Sequence, residues 1–279
     1  MLVDKPAGLT SHDVVQRVRR IVNIRAAGHT GTLDPFATGL LVVLVGRATR
    51  LARFVEAQPK TYLATARLGT ATDTDDATGA AVGDPRPVSG HDRTTVGAAL
   101  VEFEGTREQR PPAYSAKHIG GERSYRLARQ GRAVELSPVT VTVHRIALVD
   151  YRAPDVVFRA TVSPGTYLRA IARDLGERLN TGAHLTSLRR EAIGELTLDD
   201  ATALDALTPE SVRPVRAVLG HLPVWELDET ARIAVSHGRA VASDDATEGD
   251  VALMRGNELI AVGHAADGWI RPSVVLGTP

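Results

Sequence analysis

The residues that could do chemistry in this chain are a lone carboxylate on a glycine-rich loop, a tyrosine on a strand and an arginine after a turn. The carboxylate is Asp34, in Gly28-His29-Thr30-Gly31-Thr32-Leu33-Asp34-Pro35-Phe36-Ala37-Thr38-Gly39. Three glycines and a proline in twelve positions fix a loop with unusual backbone angles. An acid on such a loop, beside the apolar run Leu40–Val45, is where a chain would hold a nucleophile or a charge partner. Taken singly, each residue has a plainer reading. An Asp before Pro most often bonds its own backbone in a turn. His29 reads equally as a loop histidine satisfied by the backbone, Tyr62 as strand packing, Arg169 as a surface charge and Lys5-Pro6 as a turn.

The elements around these residues are legible from spacing. Met1–Asp4 reads as a short strand. Thr10 or Ser11 caps a helix, with Asp13 in its first turn. Val14, Val15, Val18, Ile21 and Val22 recur at helical spacing while Arg17, Arg19 and Arg20 take other positions, so the helix carries its basic side outward to the loop. Leu40–Val45 reads as a buried strand or the start of a helix, Ala48–Glu56 as a short helix, and residues 60–69 as an alternating strand bearing Tyr62. Thr94–Glu104 reads as a helix, Gly105–Gly121 as irregular, and Arg123–Gln130 as a short basic helix closed by Gly131. Residues 139–150 and 156–163 read as strands joined near Ala153-Pro154-Asp155. A helix runs from Thr166-Tyr167-Leu168-Arg169 to Leu179. Residues 197–222 hold two short helical segments. From Trp225 the texture is β-rich, with Gly256-Asn257 and Asp267-Gly268 as hairpin turns. The division expected is therefore 1–222 and 223–279.

Composition narrows the classes. There is no cysteine, which removes disulfides, cysteine-held zinc and a thiol nucleophile. The carboxylates Asp73, Asp75 and Asp76 lack the later glycine and glutamate spacing of a calcium loop and read as a capped loop, so no metal is expected. No signal peptide opens the chain and the longest apolar run is Leu40–Val45, so no membrane partner and a cytoplasmic location are expected. The net charge is zero. The zero is a cancellation: residues 1–190 hold 27 Lys+Arg and 18 Asp+Glu, and residues 191–279 hold 6 and 15. Such asymmetry fits either a polyanion-facing first part or two parts that pair with each other.

The words of the sequence, in order, are more specific than any residue. Gly-His-Thr-Gly-Thr-Leu-Asp-Pro (28–35) resembles the signature loop of the pseudouridine synthases. Asp4–Asp13, Ala37-Thr38-Gly39-Leu40-Leu41, Lys60-Thr61-Tyr62, Arg67-Leu68-Gly69 and Thr72–Asp76 follow the pattern of one branch, the bacterial tRNA pseudouridine-55 synthases of the TruB class. Pro112–Lys117, Tyr125–Gly131, Gly165-Thr166-Tyr167-Leu168-Arg169, Gly182-Ala183-His184-Leu185 and Leu188-Arg189-Arg190 continue it in the same order. The resemblance covers about residues 1–200. Gly249–Leu276 resembles a reduced PUA-like RNA-binding domain, although its segment is acidic or neutral.

The resemblance implies an α+β fold, with a mixed, mainly antiparallel sheet flanked by helices and a small β-rich PUA-like module. It implies an enzyme that isomerises uridine to pseudouridine at position 55 in the T-arm loop of tRNA. The uridine would be flipped out of the loop and its glycosidic bond remade without a cofactor. Asp34 would be the nucleophile, Tyr62 would stack on the uracil, and Arg169 would pair with Asp34 and keep it ionised. Tyr167 and Leu188 would wall the pocket, His29 would reach into the space left by the flipped bases, and Lys5 would sit near its floor. Arg17, Arg20, Arg25, Arg123 and Arg126 are candidates for phosphate contact. The partner implied is the tRNA T-arm stem-loop, bound by a monomer with no guide RNA.

Two readings from other classes compete. A non-catalytic tRNA binder would have no need of Asp34, Tyr62 and Arg169 together. A uridine methyltransferase that attacks the ring at C6 would need a cysteine. Within the synthases, a guide-RNA-dependent enzyme is the nearest rival, and the lack of long basic extensions favours a stand-alone one.

Overall fold

The computed structural model describes residues 1–114, 136–243 and 247–276 in full, with the backbone of two short strands at 118–119 and 122–123. In chain order the strands are β1 (Leu2–Lys5), β2 (Ala27–His29), β3 (Thr38–Val45), β4 (Lys60–Leu68), β5 (Ala71–Thr72), β6 (Ala81–Val82), β7 (Gly105–Gln109), β8 (His118–Ile119) and β9 (Glu122–Arg123). There follow β10 (Val139–Arg152), β11 (Asp155–Val162), β12 (Ala183–Ile193), β13 (Leu196–Thr197) and β14 (Thr202–Ala203). The last part holds β15 (Val224–Glu226), β16 (Val241–Ala242), β17 (Gly249–Arg255), β18 (Glu258–Ala266) and β19 (Trp269–Val275).

The main sheet runs β14-β1-β3-β12-β4-β11-β10-β7, with β2 on β3 and β13 on β12. Its pairings are antiparallel except β1 with β14 and β3 with β12. The fold is thus α+β with a mixed, mainly antiparallel sheet. The run Leu40–Val45 is apolar at every position because β3 is covered on both faces. Leu41 and Val43 join one core with Val14, Val15, Val18, Tyr62, Leu188 and Leu168. Leu40, Val42 and Leu44 join another with Phe54, Val55 and Leu219. Each such side chain, fully buried, contributes about 1.5–3 kcal/mol of transfer free energy.

The helix Ser11–Val22 starts at a reciprocal cap. Thr10 accepts from the Asp13 backbone and Asp13 accepts from the Thr10 backbone. Its valines enter the first core and Arg17 and Arg20 face solvent. The five-stranded sheet β15-β17-β18-β19-β16 lies against the second core through Ala252, Met254, Leu259, Val262 and Val274. Its other face packs on the helix Glu229–Ser236 through Leu253, Ile260 and Val235.

The chain departs from expectation in several places. Gly105–Gln109, expected to be irregular, is a strand at the sheet edge. Residues 183–193, to which the sequence assigned no element, form a central strand, β12. Residues 197–222 hold short 3-10 turns at 198–200, 204–206, 209–211 and 215–218 rather than two helices. The C-terminal part contains a helix that its β-rich texture hid. The basic helix expected from Arg123 begins in β9 and otherwise lies outside the described residues, as do Arg126 and the side chain of Arg123. Among the described residues no helix is long and apolar enough to cross a membrane.

Candidate active site

Strands β2 and β3 pair in antiparallel register, Ala27 with Val45 and His29 with Val43, so the chain between them closes as a loop with Asp34 near its tip. Gly39 makes the closure possible. Its φ is +102°, and a Cβ there would stand 2.3 Å from the Arg190 carbonyl oxygen and 2.7 Å from its nitrogen. Neighbours hold the tip. The Leu33 amide donates to Ser11 Oγ at 2.8 Å, and that hydroxyl donates back to the Leu33 carbonyl at 3.2 Å. The Gly8 amide donates to the Pro35 carbonyl at 2.8 Å, and the Ala37 amide closes a turn on the Asp34 carbonyl at 3.1 Å. Asp34 is therefore fixed at the backbone while its side chain remains 33% exposed.

Facing it is Arg169, in the first turn of the helix Leu168–Arg178. A cation there has the wrong sign for the helix dipole, and its partners explain its place. Arg169 Nε lies 2.9 Å from Asp34 Oδ2 and Nη2 lies 3.3 Å from Oδ1. Nη1 donates to the Thr74 carbonyl at 2.9 Å and Nη2 to the Tyr114 carbonyl at 3.0 Å. Nη1 also lies 3.5 Å from Asp76 Oδ2. The side chain is only 5% exposed, so one guanidinium joins the loop, the Thr72–Asp76 segment and Tyr114. Burial pushes the Asp34 carboxyl above the usual range, while Arg169 pulls it down.

The other predicted residues fall around this pair. Tyr62 is buried on β4 and Leu188 on β12, and both belong to the cluster holding Leu33 and Ala37 of the loop. Tyr167 immediately precedes the Arg169 helix. Its backbone exchanges two hydrogen bonds with the Gln109 side chain, at 2.8 and 3.1 Å. Lys5 is fully buried, and its ammonium donates to the carbonyls of Pro6, Leu9 and Pro35 at 2.8, 2.6 and 3.3 Å. Burial pushes it down to about 8, against the pull of Asp34. His29 Nδ1 accepts from the Gly31 amide at 3.3 Å, and burial, then Arg190, hold its imidazole below the usual value. Arg17, Arg20 and Arg25 are exposed, without a carboxylate in ion-pair range among the described residues.

Gln109 went unremarked in the sequence, and Asp76, Ser11 and Arg190 were read there only as part of a capped loop, as a helix cap and as part of a family word. The Thr72–Asp76 stretch is a capped loop as read, but its acids also serve the site. Asp76 accepts from Thr74 and Thr78 and faces Arg169. Asp75 pairs with Arg173 at 3.0 Å, and burial still raises it to about 6. Among the described residues no group of three or more His, Asp or Glu is placed to hold a metal ion.

Residues 19–168 match the family described as TruB family pseudouridylate synthase (N terminal domain). The whole chain is 43% identical to tRNA pseudouridine synthase B of Burkholderia lata, covering 90% of that protein. It is likewise 43% identical over 99% of its length to the protein of that name from Thermobifida fusca, covering 97% of it. Among solved structures it resembles a chain of an H/ACA RNP bound to a substrate RNA containing 2'-deoxyuridine. The TM-score is 0.75 at 25% identity, over 99% of this chain and 84% of that one. It also resembles a chain of the archaeal box H/ACA sRNP Nop10-Cbf5 complex, with a TM-score of 0.74 at 25% identity, over 100% and 86% of the two chains. With a family match across more than half its length and relatives alignable from end to end, the chain belongs to the TruB family of pseudouridylate synthases.

Proposed function

We propose that this enzyme isomerises uridine to pseudouridine at position 55 in the T-arm loop of tRNA, with Asp34 as its nucleophile. The observation that carries the reading is the Asp34–Arg169 pair: one carboxylate, fixed by its loop and opposed by a buried guanidinium. The reaction breaks the C1′–N1 bond, turns the uracil and joins C1′ to C5. N1 gains a proton as C5 loses one, so mass and redox state are unchanged and no cofactor is called for. Asp34 supplies electron density to C1′ as the base departs, or to C6 of the ring; either route needs an ionised carboxylate. Arg169 favours that form against the desolvation of the site.

A uridine in a folded loop must leave its stack to reach Asp34. Tyr62 and Leu188, buried beside the loop, receive the uracil, with Tyr167 at the helix entrance. His29 fills the space the flipped bases vacate. The exposed Arg17, Arg20 and Arg25 take backbone phosphates. The tRNA substrate follows the names of the relatives at 43% identity. That the H/ACA-assembly chains are only 25% identical, against 43% for the stated relatives, favours an enzyme that works without guide RNA, which we take to be a monomer. Residues 1–222 form the catalytic part and 223–279 a PUA-like module in this reading.

The test is pseudouridine mapping in a T-arm stem-loop transcript incubated with the purified chain and no additive. Wild type should convert one uridine per RNA. Asp34→Asn should bind the RNA and convert none. Undiminished conversion by that variant ends the nucleophile assignment.

A further inference from the structure

Arg190 is a buried cation that the chemistry above does not use. Its side chain lies on β12 directly beneath the Asp34 loop and is 1% exposed. Among the described residues no carboxylate stands within ion-pair distance of it. Its partners are carbonyls at the two ends of the loop: Nε donates to Leu40 O at 2.7 Å and Nη2 to Gly31 O at 3.1 Å. The backbone adds a third tie, since Arg190 pairs with Gly39 in parallel register. Gly31 and Gly39 are both at positive φ and both closest to Arg190, at its Nη1 and its backbone. The loop's base is thus shaped around this one residue. Burying a guanidinium without an opposing carboxylate is costly. Packing alone would be served by an apolar side chain of similar volume. A forked donor that reaches two carbonyls nine residues apart has a geometric use that such a side chain lacks.

We propose that Arg190 is a positioning residue that fastens the two ends of the Asp34 loop together and thereby sets the aim of the Asp34 carboxylate. The inference rests on the loop being the catalytic one. Arg190 touches no reacting atom in this reading; it acts through the loop. The depressed proton affinity of His29, to which Arg190 contributes, is a second sign that its charge is felt in the loop.

The test compares wild type, Asp34→Asn, Arg190→Lys and Arg190→Met. Three quantities are read: the single-turnover rate on the stem-loop, affinity for the pseudouridine-containing product RNA, and the thermal midpoint. Arg190→Lys keeps the charge but cannot span both carbonyls. It should fold, bind product RNA within about threefold of wild type and turn over about tenfold or more slowly. Arg190→Met, if it folds, should lose more rate at similar affinity. Wild-type turnover by Arg190→Lys overturns the proposal, and so does a rate loss matched by an equal loss of RNA affinity. Should Arg190→Met fail to fold, the lysine variant decides alone. Asp34→Asn separates the two claims. If it stays active, the reading of the loop fails; if it is dead while Arg190→Lys is fully active, only the Arg190 inference fails.

Discussion

Replacing Arg169 by Met tests how the site is held. The change keeps the apolar stem and removes a guanidinium that bonds Asp34 twice, the Thr74 and Tyr114 carbonyls once each, and faces Asp76. Removing one partner of a buried ion pair costs about 3–5 kcal/mol. Two features pull the figure to the low end. Asp34 is one-third exposed and can rehydrate, and Asp76 keeps its bonds from Thr74 and Thr78. A loss of about 3 kcal/mol is therefore expected, within the ordinary stability of a domain of this size, so the variant should fold. Its rate should fall by about 10²–10³, the usual loss for a positioned charge donor. Arg169→Lys retains the charge without the fork and should fall between the two in both respects. Urea denaturation reads the first number and single-turnover conversion of a T-arm stem-loop reads the second. A methionine variant within about 1 kcal/mol of wild type would show that the guanidinium does not hold this network. Full activity in the lysine variant would show that charge alone suffices.

Other perturbations follow from the same geometry. Lys5 and Lys60 are both pushed down to about 8 by burial, from 10.5. Between pH 8 and 10.5 the unfolded chain binds more protons than the folded one, so stability should rise across that window, by about 2 kcal/mol from each lysine and roughly 3–4 kcal/mol together between pH 7.5 and 9.5. Urea midpoints at the two pH values check this, and a fall would contradict the burial of these ammoniums. Gly39→Ala places a Cβ against Arg190 backbone atoms that cannot step aside. It should cost about 2–3 kcal/mol or more and most of the activity, and an unchanged melting temperature would refute the close approach. Combined Arg17, Arg20 and Arg25 to Ala changes should weaken RNA binding and lower its salt slope by about 2–3; an unchanged slope in a binding titration would place the phosphates elsewhere.

What the sequence revealed and concealed has physical reasons. The loop, its strand and the Ser11–Val22 helix were legible because each is local: glycine density, an apolar run, a capping box. Arg169 was legible only through the order of neighbouring words, since nothing local announces a partner 135 residues away. Asp76 looked like a turn former because it is one, and its second role needs the fold to bring up Arg169. Strand β7 escaped because an edge strand with mostly exposed side chains has no apolar alternation to read. Strand β12 escaped because shifts of register between Leu185 and Ser187 and between Arg190 and Ala192 break its period of two. The helix Glu229–Ser236 had a signal in Asp228, which accepts from the Ala231 amide, but eight residues are too few to show a clear stripe.

The position of β12 bears on how the enzyme is made. The strand under the loop and the helix facing it come late in the chain: Gly31 and Arg190 are 159 residues apart, and Asp34 and Arg169 are 135 apart. At ribosomal speeds of about 5–20 residues per second, roughly 8–30 s separate the synthesis of the loop from that of its floor. Through that interval β3, apolar on both faces, waits between β1 and a neighbour not yet translated. The nascent first half carries the reactive carboxylate but no formed site. Its greasiest strand is the segment most in need of shelter until β12 slides in beside it.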